Sequence, residues 1–193
     1  MERRAAMAEQ IISGRVINAC QEGDRDAFRV LFETYKDKVY SIAVYSSGGD
    51  ATFADDVTQQ IFLKLFTAIK QFRGDSEFTT WLYRLVVNAC MDERRRRRRL
   101  LPFGDFFAMK HPSERNPQEK QYGKTEVAEA VRRAIAQLKP KFRLPILLKY
   151  MEGLSYEEIA QVMGCSKGTV ASRLNRGHGQ LAKRLSHLRA FVE

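Results

Sequence analysis

Two groups of residues in this sequence are equipped for chemistry, and both are cationic. Between residues 166 and 176, Lys167, Thr169, Ser172, Arg173 and Arg176 fall on one side of a helical repeat whose other side carries Val170 and Leu174. Ammonium, guanidinium and hydroxyl groups on one helix face can hydrogen-bond to base edges and phosphate oxygens, arginine on guanine being the usual match. The second group is six consecutive arginines, Arg94 to Arg99. Such a block repels itself unless an anion is present, and it far exceeds what a helix C-terminus needs to satisfy its dipole. Phosphate binding and a solvated basic surface are the two readings. Nucleophilic and acid–base chemistry is not indicated, since no spaced cluster of histidines and carboxylates and no Gly-rich phosphate loop is present.

The first group needs a helix held against another helix. Ser155 and Glu158 form the pair of a capping box. Ile159, Ala160 and Met163 then share a face, Gly164 can end the helix in the left-handed conformation, and Ser166 can cap a second helix. A helix, a tight turn with glycine and a second helix rich in small polar and basic residues is the helix-turn-helix pattern. An ordinary helical hairpin with a solvated basic face is the plain alternative.

Helical periodicity runs through most of the remaining chain. Val16, Ala19 and Cys20 begin it. Asp24 or Asp26 can cap a helix carrying Phe28, Leu31, Phe32, Tyr35, Val39 and Ile42. Residues 46–50 read as a loop. A third helix is expected from about Ala54 to Phe72, with Val57, Ile61, Leu65 and Ile69 as its apolar stripe. After the break at 73–76, a fourth helix carries Phe78, Trp81, Leu82, Leu85, Val86 and Ala89 into the arginines. Residues 101–123 read as a linker containing an apolar patch of Phe103, Phe106, Phe107 and Met109, which docks either on a partner or on this chain. Helical pattern returns at Val127 and continues past Pro140. Pro145 predicts a kink or a late start in the helix there, and Gly177 with Gly179 predicts a bend or early end in the last helix. The expected fold is all-α, with two small helical domains (16–100 and 124–190) joined by a flexible linker.

Composition agrees with a polyanionic partner. The 193 residues include 33 Lys and Arg against 23 Asp and Glu, a formal net charge of +10, with 44% hydrophobic residues to build a core. No apolar run approaches a bilayer span, and the start, with Met7 as an alternative first residue, does not read as a secretory signal. A cytoplasmic location is expected. The cysteines, Cys20, Cys90 and Cys165, are too scattered for a metal site and read as packed side chains; neither metal nor cofactor is expected.

Two segments, ATFADDVTQQIFLKLF with FRGDSEFTTWLYRLVVNACMDERRRRRR, and EGLSYEEIAQVMGCSKGTVASRLNR, together resemble a bacterial RNA polymerase sigma factor of the extracytoplasmic-function type, which keeps only the domains called 2 and 4. The resemblance covers roughly residues 20–100 and 125–185. It implies a promoter-specificity subunit, not an enzyme and without a small-molecule substrate. Its partners would be core polymerase (the β′ clamp helices and the β subunit) and promoter DNA. The family is often held inactive by an anti-sigma protein, which the resemblance adds as a further class of partner.

The resemblance also distributes roles. Asp55, Asp56, Gln59 and Phe62 would meet the β′ clamp helices, although on the residues alone the acidic pair reads as a solvated helix N-terminus favoured by the dipole before it reads as a contact. Arg73, Gly74, Asp75 and Ser76, with Arg84 and Asn88 on the following helix, would read and open the −10 element, and Arg94, Arg95, Arg97 and Arg98 would hold nearby phosphates. Trp81 reads as core before it reads as a stacking platform. Ser166, Lys167, Thr169, Ser172, Arg173 and Arg176 would read the −35 element. Ala171 stands where many members carry a basic residue, so the bases read are expected to differ. A free-standing helix-turn-helix regulator is the competing reading, and domain 2 is the feature it leaves without a purpose.

Overall fold

The computed structural model describes residues 14–100 and 126–186. Residues 1–13, 187–193 and 101–125, the last including the predicted linker and its Phe103–Met109 patch, lie outside them. Among the described residues the chain is helical, with no strand. The elements are α1 (14–22), α2 (Arg25–Ser47), α3 (Ala51–Ala68), a 3-10 turn (Ile69–Gln71), α4 (Phe78–Leu100), α5 (Glu126–Ala136), α6 (Pro140–Tyr150), α7 (Tyr156–Met163) and α8 (Lys167–Arg184).

In the N-terminal unit α2, α3 and α4 pack on one another. Each contributes a stripe at spacings of three and four: Leu31, Tyr35, Val39 and Ile42; Phe53, Val57, Ile61 and Leu65; Phe78, Leu82, Val86 and Cys90, all buried. Burial pushes the Cys90 thiol up to about 11, consistent with a packed, un-ionised side chain. Asp24 caps α2, accepting from the N–H groups of Asp26 and Ala27. α3 starts earlier than its periodicity suggests. Asp50, read from the sequence as loop, is its cap and accepts from the Phe53 N–H at 2.9 Å. Gln21 of α1 donates to the carbonyls of Ile69 (3.1 Å) and Phe72 (2.7 Å), which pins the end of the 3-10 turn at the entrance to the 73–77 loop.

α5 to α8 form the second unit. Pro140 opens α6, where its missing N–H costs nothing, and Pro145 lies inside the helix without delaying its start. The reason is tertiary: every residue from Phe142 to Leu148 is buried, including Arg143. A helix without a polar face must be enclosed on all sides. α7 and α8 of its own unit cover α6 on one side, and α2 covers it on another, while α7 packs on α4. The two units therefore share one continuous buried cluster running from Ile17 to Leu174.

α8 neither bends off nor ends at its glycines, but runs unbroken to Arg184. A Cβ at Gly177 would come within 2.6 Å of the Ile146 Cδ1 and 3.4 Å of the Phe142 carbonyl, so this glycine lets α8 approach α6 closely. Gly179 is exposed, with nothing within 4 Å of a Cβ. Gly179→Ala is therefore expected to stabilise the chain by about 0.5–1 kcal/mol through helix propensity alone. Gly177→Ala should lose that gain to the shift forced on Ile146. Paired thermal melts of the two variants check this.

Candidate nucleic-acid interface

The helix-turn-helix forms as its local chemistry dictates. Ser155 and Glu158 complete the capping box of α7, with the Ser155 N–H donating to Glu158 at 2.7 Å. Gly164 ends α7 in the left-handed region (φ 59°), which a side chain would strain. Ser166 caps α8, accepting from the Thr169 N–H at 3.2 Å and sharing a hydrogen bond with the Thr169 hydroxyl. Val170, Leu174 and Gly177 face inward. Outward, a shallow cavity of about 400 Å³ is lined by Ser166, Gly168, Thr169, Ser172, Arg173 and Arg176, together with Lys141 and Phe142 from α6. The predicted reader residues other than Lys167 thus share one basic concavity. Lys167 leans instead onto α7, where its ammonium pairs with Glu157 and holds that carboxyl below its usual range. Lys141 is an additional cation that the sequence reading passed over, its one signal being its place beside Pro140 at a helix start.

The loop before α4 makes a second concavity. Gln71, Phe72, Arg73, Asp75, Ser76, Thr80, Trp81 and Arg84 surround about 460 Å³, with Gln161 of α7 completing the wall. Phe72, Phe78 and Trp81 form an aromatic cluster with centroids 5.3–5.8 Å apart. Trp81 is half-buried, so it belongs to the core edge and still lines the cavity. The Thr80 hydroxyl is buried and makes no hydrogen bond among the described residues. Gly74 takes a positive φ of 77° in this loop. Asn88 is exposed one turn beyond Arg84 on α4.

The arginine run is two-sided. Arg95, Arg96, Arg98 and Arg99 face solvent, whereas Arg94 and Arg97 turn inward. Arg94 donates to the Ser46 carbonyl at 3.4 Å, and burial lowers its pKa. Arg97 is bound by three carboxylates: Asp50 at 3.0 Å, Asp56 at 3.0 Å and Glu93 at 2.8 Å, with the Phe53 ring centroid 5.0 Å away. In this arrangement Arg97 is a tie between α4 and the start of α3.

Glu93 is the reason this tie matters. Its side chain is only 1% exposed, and hydrogen bonds from Arg96 and then Arg97 keep its pKa below the usual carboxylate value against the opposing effect of burial. A carboxylate with a lowered folded pKa contributes stability above its unfolded pKa and loses it as pH falls through the folded one. Arg97→Gln is expected to cost about 2 kcal/mol at neutral pH, since a buried carboxylate loses one of two charged donors. Urea unfolding should show the deficit shrinking in acid, where the parent also loses the interaction.

The residues that the resemblance assigns to the polymerase contact differ in exposure. Asp55 and Gln59 are exposed, but Asp56 is held by Arg97. Phe62 is only 6% exposed and packs edge-on against Phe32 at 4.6 Å between centroids. Its ring supports α3 from behind, on the inner side of the apolar stripe. Leu63 (67% exposed) and Phe66 (47%) are the apolar side chains that α3 presents outward.

Comparison with known proteins places both units. The Sigma-70 region 2 family model matches residues 31–100, and the Sigma-70 region 4 model matches residues 128–181. The chain is 34% identical over 192 residues to the ECF RNA polymerase sigma-E factor of Escherichia coli (strain K12), covering 94% of this chain and 98% of that protein. It is 33% identical over 191 residues to the sigma-E factor of Haemophilus influenzae, covering 94% and 100%. The fold matches the sigma factor RpoE of Bartonella quintana, solved in complex with the anti-sigma factor NepR, with a TM-score of 0.71 at 24% identity, covering 82% of this chain and 96% of that one. It also matches CnrH, solved with the cytosolic domain of CnrY, with a TM-score of 0.63 at 23% identity, covering 89% and 96%. The two matched family models, one on each helical unit, define the class: a transcription initiation factor. The chain belongs to the sigma-70 family, in its extracytoplasmic-function branch. It is a promoter-specificity subunit that binds core RNA polymerase, recognises −35 and −10 elements and helps open the promoter; the family is one of non-catalytic initiation factors.

Proposed function

We propose that the two concavities divide promoter recognition between duplex and opened strand. The basic hollow of α8, with Arg173 and Arg176 as base readers and Lys141 as an added phosphate contact, takes the −35 duplex in its major groove. The cavity between the 73–76 loop and α4 takes an unstacked base of the −10 strand. The observation that carries this reading is the composition of that cavity: two aromatic rings, two arginines and a buried hydroxyl without a hydrogen bond among the described residues, around a hollow of about 460 Å³ that a base can enter. Asn88 continues the same path along α4. Arg95, Arg98 and Arg99 extend it along phosphates, while Arg94 and Arg97 act structurally. On α3, Asp55, Gln59, Leu63 and Phe66 form the face offered to polymerase, with Asp56 and Phe62 placing it. The chain works in the cytoplasm as a binding subunit without catalysis of its own, and an anti-sigma protein is the class of inhibitor it would meet.

Salt dependence tests the arginine assignment. Arg95→Gln, Arg98→Gln and Arg99→Gln together should flatten the slope of log affinity for promoter DNA against log salt. The change should be about one unit for each phosphate left without its arginine. Arg97→Gln should leave that slope intact while lowering stability. The assignment fails if the triple variant keeps the parent's slope.

A further inference from the structure

Lys167 is the first residue of α8, at the end by which a recognition helix enters the groove. No acidic side chain shares that first turn. The positive end of the helix dipole disfavours an ammonium there, so helix stability does not account for this lysine. Nor does it join the hollow on the outer face of α8. Its ammonium pairs with the Glu157 carboxylate across the turn, on α7, and both side chains are well exposed, 62% and 58%. Lys167 is the first cause of the lowered Glu157 pKa, so the carboxylate stays ionised. Lys149, the other cation acting on Glu157, donates to the Leu154 carbonyl at 3.2 Å.

We propose that Glu157 is a positioning residue of the −35 interface: it keeps Lys167 on α7, so that the first cation of α8 neutralises a carboxylate and not a phosphate. The inference rests on α8 as the duplex-reading helix. An exposed ion pair contributes little to folding, so the effect of this one falls on DNA binding. Moving the ammonium to a phosphate would leave Glu157 unpaired beside a polyanion, and that repulsion offsets the new contact. The pair therefore adds no net charge at the DNA surface and displaces no counterion. A glutamine at 157 keeps the size of the side chain, ends the charge pairing and frees Lys167 for phosphate.

Holoenzyme reconstituted from core polymerase and the full-length chain tests this. The probe is a duplex promoter fragment that the parent holoenzyme selects from a library randomised in the −35 element. Glu157→Gln should tighten binding by about threefold at low salt and steepen the slope of log affinity against log salt by about one unit, the signature of one added phosphate contact. Losing an acidic residue from the first turn of α7 weakens that helix, so a tighter complex does not come from altered folding. In a Lys167→Gln background most of the gain should disappear. An equal gain in both backgrounds would mean that the carboxylate acts by its field alone, and overturns the restraint. An unchanged slope in Glu157→Gln overturns it as well. Arg173→Ala on the same fragment separates the two levels of the argument. If it weakens binding while Glu157→Gln changes nothing, the restraint fails alone; if it too changes nothing, α8 is not the duplex reader and both fall.

Discussion

Arg143→Met is expected to lower the stability of the chain by about 3–5 kcal/mol, the largest single-residue effect outside the apolar core. The guanidinium belongs to a residue only 3% exposed and serves four main-chain carbonyls. Those of Tyr45 and Ser46 end α2, and those of Ala136 and Leu138 lie at the end of α5 and just after it, the last at 2.7 Å. A helix C-terminus leaves its last carbonyls short of partners; Ser46 also accepts from Arg94 and Tyr45 from the Gly48 N–H, but Arg143 joins the two helix ends to each other. Methionine fills similar space but donates nothing, and the carbonyls cannot be removed along with the arginine. Burial, followed by the nearby Arg94, lowers the Arg143 pKa to about 10, so the group remains charged at neutral pH. Arg143→Lys should recover only part of the stability, because an ammonium lacks the planar fork that reaches both helix ends. Urea denaturation of the parent and both variants measures this. A midpoint for Arg143→Met equal to the parent's would mean that water replaces the guanidinium at all four carbonyls.

Arg173→Ala should weaken recruitment to promoter duplex by a factor of about 10 to 100, equivalent to roughly 1–3 kcal/mol, the worth of a bidentate hydrogen-bonded pair with a base. The arginine lies in the α8 hollow with Arg176 and Ser172, its guanidinium 3.8 Å from the Cys165 sulfur. The substitution should relax preference within the −35 element alone. Asn88→Ala should fail at the next step. Recruitment persists, but fewer unpaired thymines react with permanganate around −10. On a template already mismatched there, the defect should shrink because the unpairing cost is already met. Relaxed −35 preference in Asn88→Ala, or normal recruitment with blocked opening in Arg173→Ala, would reverse the division of labour.

The caps and turn of the helix-turn-helix were legible in the sequence to the residue, whereas Val162, buried beside Ile159, was missing from the face read for α7. Ser155, Glu158, Gly164 and Ser166 act within one or two turns of where they stand, and caps and turns are settled by such short-range bonds. The stripes of α2, α3 and α4 were legible for the same reason, since helical period alone chooses the buried face. Asp50 was misread because a cap and a loop residue look alike until the first turn's N–H groups are in place.

Among six identical arginines helical phase puts Arg94 and Arg97 on the continuation of the Phe78–Cys90 stripe, but it does not say what they meet there. Their division follows from where Ser46, Asp50 and Asp56 lie around α4. α3 is apolar over so wide an arc that only the presence of α2 decides that Phe62 goes in while Leu63 stays out. Arg143 carried no signal at all, because its partners on α2 are carbonyls 97 and 98 residues away, and a carbonyl is the same at every position. Local spacing was enough for the helices, most of their caps and the main stripe each one buries. Tertiary structure alone decided which charges are used up inside the fold and which surfaces one unit covers on the other, because those outcomes depend on groups that local spacing never brings together.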